Sequence, residues 1–229
     1  KSILLLEQFL KGLFQVLFPN TSNLIVSKIG LIDYGMGNIH SVKKALEDLE
    51  EDVLLVKNKL QISDCKALII PGQGSFDPAI DNLYKTGLIE EIKNWVIQGK
   101  PFMGICLGLQ ILFEDSEEGE KKGIGVIKGK IEKIPLTKDQ RIPHIGWCNL
   151  ICLGESKLIS KNDNSNWVYF DHSYFACPKD EKIVTASVEY GQINITAIIE
   201  FENLVACQFH PEKSGKKGQV ILNKWLQTI

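Results

Sequence analysis

From residue 28 onward, runs of consecutive apolar residues alternate with segments whose apolar positions recur every three or four residues. The first pattern suits a strand buried on both faces and the second a helix with one buried stripe. Their alternation predicts a mostly parallel sheet covered by helices. IGLID (29–33), DVLLVK (52–57), KALIIPG (66–72) and PFMGI (101–105) read as strands. Between the first two, Asn38 is placed to cap a helix whose inward face is Ile39, Val42, Leu46 and Leu49. Pro78 is expected to open a helical stretch to about Gln98, with Ile80, Leu83, Leu88, Ile92 and Val96 for the core, a break or bend at Gly87 and a stop at Gly99. LGLQILFED, which follows PFMGI and Cys106, again has helical period. Beyond Gly123 the chain reads as strands and turns, GVIKGKIEKI, HIGWCNLI, WVYFDHSYFAC, IVTASVEYG, ITAIIEF and LVACQFH, before a last helix from about Gly218 to Gln227. The expected fold class is α/β: an open, mostly parallel sheet flanked by helices, with additional antiparallel strands.

Residues 1–18, KSILLLEQFLKGLFQVLF, set Ile3, Leu6, Leu10, Leu13, Phe14 and Leu17 on one side of a helical wheel and Glu7, Gln8, Lys11 and Gln15 on the other. An amphipathic helix is expected, too short and too polar to span a membrane and without the features of a cleaved leader. The turn formers Pro19 to Asn23 separate it from the first strand, so residues 1–24 read as an appendage and 25–229 as the domain. The appendage is open to three readings: a docking or membrane-surface helix, a helix folded on the domain's own side, or a non-native extension. The last two together are favoured, the chain beginning without Met.

Composition narrows the class. A chain of 229 residues with 44% hydrophobic and 24% charged residues suits one medium domain with a real core. Twenty-six basic against 28 acidic side chains give a net charge of −2, which leaves no basic field for a nucleic acid, and no membrane association is expected. The six cysteines form no C-x-x-C pair and mostly sit in apolar runs, as in a reduced, intracellular and hence cytoplasmic protein. The four histidines show no H-E-x-x-H or similar ligand spacing, so neither a metal nor any other cofactor is implied.

Three segments carry candidate chemistry. Gly104-Ile105-Cys106-Leu107-Gly108 lies between a buried strand and a helical pattern and has the G-x-nucleophile-x-G form of a nucleophile elbow. Flanking Cβ atoms would collide at such a turn, and amides at a helix start favour a reactive thiolate at Cys106. A buried cysteine between packing glycines is the alternative. His210-Pro211-Glu212 follows the strand LVACQFH, at the sheet edge where open α/β folds place their sites. Its imidazole suits proton transfer with a thiol, and the carboxylate two residues on can hold the ring; a surface turn is the plainer reading. Pro71-Gly72-Gln73-Gly74, after ALII, can present backbone N–H groups to the same edge, with that of Leu107 as companion. Each such donor to a developing oxyanion is worth roughly 2.7–4 kcal/mol, although Pro-Gly is also an ordinary strand-to-helix turn.

PGQGSF, MGICLGLQILFEDSEEG, PHIGW, YFDHSY and QFHPEKSG, in this order and spacing, resemble the class I (triad) glutamine amidotransferases. DYGMGN (33–38) and PHIGW (143–147) further resemble the glutaminase subunits of imidazole glycerol phosphate synthase, over about residues 28–229. The resemblance implies hydrolysis of L-glutamine by a Cys106, His210, Glu212 triad. Gly72 and Gly74 then belong to the oxyanion loop, Gln110 lies beside the substrate, and His172, Ser173 and Tyr174 belong to the strand that covers it. It further implies a heterodimer with a (β/α)8 barrel synthase that receives the ammonia, with Asn38, Trp147 and Lys213 facing the barrel. Gln73, where the family usually has valine, and Asp171, where an apolar residue is common, depart from its pattern. They bear on coupling to the partner more than on the chemistry, since the oxyanion donors are backbone groups. A paralogue supplying ammonia for amidation of a surface sugar is the alternative, and a scaffold without turnover is disfavoured by the intact triad. A phosphate site at the helix after Asn38 lacks the G-x-G-x-x-G order.

Overall fold

The computed structural model describes residues 28–136, 141–163 and 165–229. The appendage at 1–24 and the expected domain start at Ile25 lie outside the described residues. In chain order the strands are β1 (Lys28–Ile32), β2 (Val53–Val56), β3 (Cys65–Ile70), β4 (Phe102–Ile105), β5 (Asp115–Ser116), β6 (Gly129–Lys133), β7 (His144–Asn149), β8 (Ile151–Cys152), β9 (Trp167–His172), β10 (Tyr174–Pro178), β11 (Val184–Tyr190), β12 (Ile193–Phe201) and β13 (Leu204–Cys207). The α-helices are α1 (Ile39–Glu47), α2 (Phe76–Thr86), α3 (Ile89–Ile97), α4 (Leu107–Gln110) and α5 (Gly215–Leu226).

The central sheet has the order β2-β1-β3-β4-β13-β12-β11-β8. Pairing is parallel from β2 through to β13 and antiparallel from β13 to β8. Alternate residues of the parallel strands serve opposite faces. Leu68, Ile70 and Phe102 share a core cluster with Phe76, Leu83 and Ile92 of α2 and α3. Ala67, Ile69, Met103 and Ile105 share another with Val42 and Leu46 of α1 and with Ile221, Leu222 and Trp225 of α5. Each large side chain taken out of water in this way contributes roughly 1.5–3 kcal/mol. The double cover explains why these strands are continuous apolar runs, and it leaves their carboxyl ends as the open edge. There β3 delivers Pro71, β4 delivers Cys106 and β13 delivers Gln208 to His210.

Two smaller sheets stand beside that edge: a ribbon of β7 with β9 and a three-stranded sheet β10-β6-β5. The run WVYFDHSYFAC, expected as one strand, is two. β9 pairs with β7 up to His172, β10 pairs with β6 from Tyr174, and the Ser173 carbonyl between them accepts from the Ile134 amide at 2.9 Å.

Other boundaries differ for local reasons. The helix expected across LGLQILFED stops after one turn at Gln110. The carbonyls of Ile111, Leu112 and Phe113 accept from the amides of Ile124, Ile127 and Gly125 in the returning loop, so no further helical turn can use them. Asn38 occupies the N-cap position of α1, but its side chain makes no capping bond. Pro78 is the third residue of α2, which begins at Phe76 after Ser75. Gly87 does break the stretch, ending α2 with φ +68°. The last helix starts at Gly215, three residues before Gly218, where a Cβ would stand 1.9 Å from the Pro211 carbonyl oxygen. No helix among the described residues is long and apolar enough to cross a membrane.

At Gly108 an added Cβ would meet the carbonyl oxygen of Ile70 at 2.0 Å, and the nearby backbone of β3 leaves no slack. Gly108→Ala is expected to lower unfolding stability by about 3 kcal/mol in urea titrations, the upper range for overpacking. Gly154→Ala, whose Cβ would meet open space, should stay within about 0.5 kcal/mol. Equal stability of the two variants would contradict this account of the packing.

Candidate active site

Cys106 is the residue at which β4 turns into α4, and it holds φ +53° and ψ −108°, a region that side chains with a Cβ rarely enter. Its amide donates to the Cys207 carbonyl at 2.7 Å, which fixes the turn beside β13. Glycines make the turn possible. A Cβ at Gly104 would lie 2.9 Å from the Gly108 oxygen, and one at Gly72 would lie 2.5 Å from both the Gly108 nitrogen and the Leu107 Cβ. The elbow expected from G-I-C-L-G is present, with the sulfur facing a cavity.

His210 and Glu212 sit where β13 ends. The His210 Nδ1–H donates to Glu212 Oε1 at 2.8 Å, and both side chains are 1% exposed. Burial by itself would depress the His210 pKa. Interaction with the Cys106 sulfur and with the Glu212 carboxylate outweighs it and raises the value to about 10. Nε2, the nitrogen left over, is buried without an aligned hydrogen bond, and the Cys106 sulfur stands near enough to raise the ring's pKa. The sulfur's aligned contacts are long ones, 3.9 Å to the Asp171 carbonyl and 3.7 Å from Gln208 Nε2. The His210 backbone is pinned as well. Its amide donates to the Tyr169 carbonyl at 2.9 Å, while Ser214 Oγ donates to the His210 carbonyl at 2.6 Å and accepts from the Tyr169 amide at 2.9 Å.

The cavity above the sulfur has a volume of about 310 Å³ and is lined by Gln73, Gly74, Leu107, Gln110, Glu118, Pro143, Asp171, His172, Ser173 and Tyr174 as well as Cys106. Three larger hollows, of about 700 Å³ beside Cys152 and Ser156, about 740 Å³ beside Leu153 and Phe175 and about 370 Å³ beside His40 and Gln219, are not lined by Cys106. Of the expected loop, Gln73 and Gly74 reach the cavity, whereas Gly72 is pressed behind it against Leu107 and Gly108. Gly74 has φ +119°. The loop is tied down by Tyr34, whose hydroxyl donates to the Pro71 carbonyl at 2.8 Å and whose pKa burial and the nearby Cys106 push up. Leu107 supplies the first amide of α4, a position without an intrahelical acceptor.

Gln110 Nε2 donates to the Tyr174 carbonyl at 2.8 Å and to Gln208 Oε1 at 3.2 Å, which binds α4 to the covering strand. Three residues of this site were not anticipated. Gln208 is fully buried, and the available signal was an amide inside the apolar run LVACQFH, since a buried amide needs partners. Glu118 lines the cavity from the segment beyond α4, its pKa raised by burial, and accepts from the Phe76 amide at 3.0 Å. Tyr34, beside Asp33 at the end of β1, lies within the DYGMGN segment, of which only Asn38 was given a role. Among the described residues no cluster of three or more His, Cys, Asp or Glu is arranged to hold a metal ion.

The three residues expected to face a partner occupy neighbouring elements. Trp147 on β7 is half exposed and meets Tyr169 edge-on at 6.0 Å. Lys213 Nζ lies 5.9 Å from the same Tyr169 ring and forms no ion pair among the described residues. Asn38 begins α1, which packs on the Pro211–Lys213 turn. Ile145 and Trp167 extend this exposed apolar surface along the β7–β9 ribbon.

Residues 30–228 match the family model for class-I glutamine amidotransferases. The imidazole glycerol phosphate synthase subunit HisH of Prochlorococcus marinus subsp. pastoris (strain MED4) is 60% identical over 89% of this chain and 100% of its own length. The subunit of the same name from Synechococcus sp. (strain CC9902) is 48% identical over 88% and 94% respectively. Two solved structures share the fold. One is a glutamine amidotransferase with TM-score 0.68, 21% identity and coverage of 87% of this chain and 97% of its own. The other is PurLQS from Thermotoga maritima, with TM-score 0.67, 19% identity and coverage of 88% and 98%. The sugar-amidation alternative is not favoured by these relatives. With an elbow cysteine, a buried imidazole–carboxylate pair and this degree of likeness together, the chain belongs to the class-I glutamine amidotransferases, among the HisH glutaminase subunits of imidazole glycerol phosphate synthase.

Proposed function

We propose that the protein hydrolyses L-glutamine with Cys106 as nucleophile, His210 as proton carrier and Glu212 as the group that orients and stabilises the imidazolium. The supporting observation is the convergence of a cysteine at a positive-φ elbow with a buried His210–Glu212 pair whose imidazole holds its proton through neutral pH. With His210 already holding the proton it shares with the thiol, the Cys106 sulfur attacks the side-chain amide carbon. Backbone amides of the Gln73–Gly74 loop and of Leu107 receive the oxyanion. His210 then protonates the departing nitrogen and ammonia leaves, which gives a glutamyl thioester. Water adds to the thioester with His210 taking its proton, and glutamate departs as the sulfur regains one. Gln110, His172, Ser173 and Tyr174 line the substrate, and the Glu118 carboxylate suits its ammonium group.

We further propose that the ammonia passes to a (β/α)8 barrel synthase bound as a heterodimer in the cytoplasm. There it enters the formation of imidazole glycerol phosphate and an aminoimidazole carboxamide ribotide in histidine biosynthesis. The exposed Trp147, Ile145 and Trp167 surface, with Lys213 at its side and Asn38 near its border, supports this docking face. Gln73, in the oxyanion loop, bears on how readily that loop responds to the bound partner.

Cys106→Ala is expected to lower glutamine-dependent synthesis by more than about 10³-fold while ammonia-dependent synthesis by the complex persists; loss of both would contradict a pure glutaminase role. The pH profile gives a second check. The raised pKa keeps His210 able to protonate the leaving ammonia up to about pH 10, so kcat, which is free of the ionisation of unbound glutamine, should fall as pH rises through that value. Glu212→Gln removes one of the two influences that raise it, and the alkaline fall should move to lower pH; coincident alkaline limbs would refute the assignment of Glu212. Trp147→Ala should weaken barrel binding about thirtyfold in calorimetric titration, as for a central aromatic anchor, and unchanged affinity would place the interface elsewhere.

A further inference from the structure

His144 takes no part in the chemistry above, yet it is buried against the wall of the glutamine cavity. It stands opposite His172 in the β7–β9 register, with its Nδ1 3.0 Å from His172 Nε2. His172 Nδ1 lies 2.8 Å from the Tyr174 carbonyl oxygen, and His144 Nε2 lies 3.2 Å from the Cys148 sulfur. The Tyr174 carbonyl is the one that also accepts from Gln110 Nε2. Gln110 continues to Gln208, and Gln208 to the Cys106 sulfur. An unbroken line of polar contacts therefore joins Cys148, next to the exposed Trp147, to the elbow cysteine.

The line has a definite direction. A carbonyl can only accept, so His172 must carry its proton on Nδ1. In a neutral ring its Nε2 then accepts, which requires the proton of His144 on Nδ1 in turn. His144 Nε2 is left to accept from the Cys148 thiol. Burial keeps both rings neutral, lowering the His144 pKa to about 4 and that of His172 to about 3, the latter with help from His144 and His210. Among the described residues Tyr190 of β11 also packs on His144, at 4.1 Å between ring centroids. Phe170 stacks on the His144 ring at 4.9 Å, so Tyr190 and Phe170 fix its plane.

We propose that His144 is a positioning residue for glutamine turnover: as an Nδ1–H tautomer it holds His172, which holds the Tyr174 carbonyl and through it Gln110 and Gln208 at the substrate and nucleophile. The inference rests on the reading of Cys106 as the glutaminase nucleophile. It adds a second polar connection between the partner-facing ribbon and the site, separate from the bonds that join His210 to Tyr169, and this one reaches the cavity wall.

Two measurements test it. Nitrogen-15 spectra of the imidazoles in the full chain at pH 7 should show His144 and His172 both protonated at Nδ1 and bare at Nε2. An Nε2–H tautomer or an imidazolium at either residue overturns the proposal, and this arm needs no variant to fold. In the assembled synthase, His144→Leu, which fills the space without a donor, should raise the glutamine KM by about tenfold, the scale set by one buried hydrogen-bond partner, with a smaller change in kcat. His144→Asn, whose amide N–H can stand near the Nδ1 position, should restore most of that loss, an outcome that packing volume alone does not produce. A His144→Leu enzyme with the wild-type KM, or an Asn variant as impaired as the Leu variant, overturns it. A wild-type complex that fails to hydrolyse glutamine would instead overturn the proposed function beneath it.

Discussion

Close backbone packing at the carboxyl ends of β3 and β4 is the constraint from which the site follows. The Pro71–Gly74 loop, the elbow and the first turn of α4 press main chain against main chain, with Gly72, Gly104 and Gly108 lacking the Cβ atoms that would hold them apart. This contact keeps Cys106 at a positive φ that costs on the order of 1–3 kcal/mol in isolation. In return the sulfur projects into the cavity rather than into the core, and the Leu107 amide stands beside it. A looser elbow would relax toward an ordinary strand-to-helix turn and bury the thiol among Ile105 and its neighbours.

Three buried histidines beside this elbow show how partners, more than depth, decide charge. His144, His172 and His210 are 1%, 6% and 1% exposed. For the first two, burial dominates and the rings stay neutral. For His210 the same penalty is overcome by a carboxylate and a sulfur within reach. Within one small region the fold holds two neutral rings that serve as fixed hydrogen-bond connectors and one ring that carries charge. A cation among the connectors would reverse the polarity of their contacts, and in the proposed mechanism a neutral His210 would have no Nε2 proton to give the leaving nitrogen.

Much of this was legible in the chain. Strands covered on both faces announce themselves as apolar runs, the break at Gly87 follows from its freedom at positive φ, and the elbow, the His210–Glu212 pair and the loop after β3 were each visible as short motifs. What escaped depends on contacts distant in sequence. The one-turn α4 is cut short because its following carbonyls are taken by Ile124, Gly125 and Ile127, which the local helical period of LGLQILFED cannot reveal. Gln208 sits in a run read as strand, and its partner Gln110 is 98 residues away. The division at Ser173 arises because successive segments find different neighbours, β7 and β6. The last helix was expected from about Gly218, whereas the close approach of Gly218 to Pro211 lies in the interior of a helix that begins at Gly215.

The staples between His210 and Tyr169 have a mechanical meaning. One amide and one bridging hydroxyl fasten the strand that carries the imidazole to the strand that carries the Tyr169 ring, under Trp147 and Lys213. The outer ribbon and the imidazole are therefore fastened together, and the elbow is fastened to the same β13 strand through the Cys106 amide and the Cys207 carbonyl. A load on the outer surface therefore reaches the imidazole and the elbow together, through one strand.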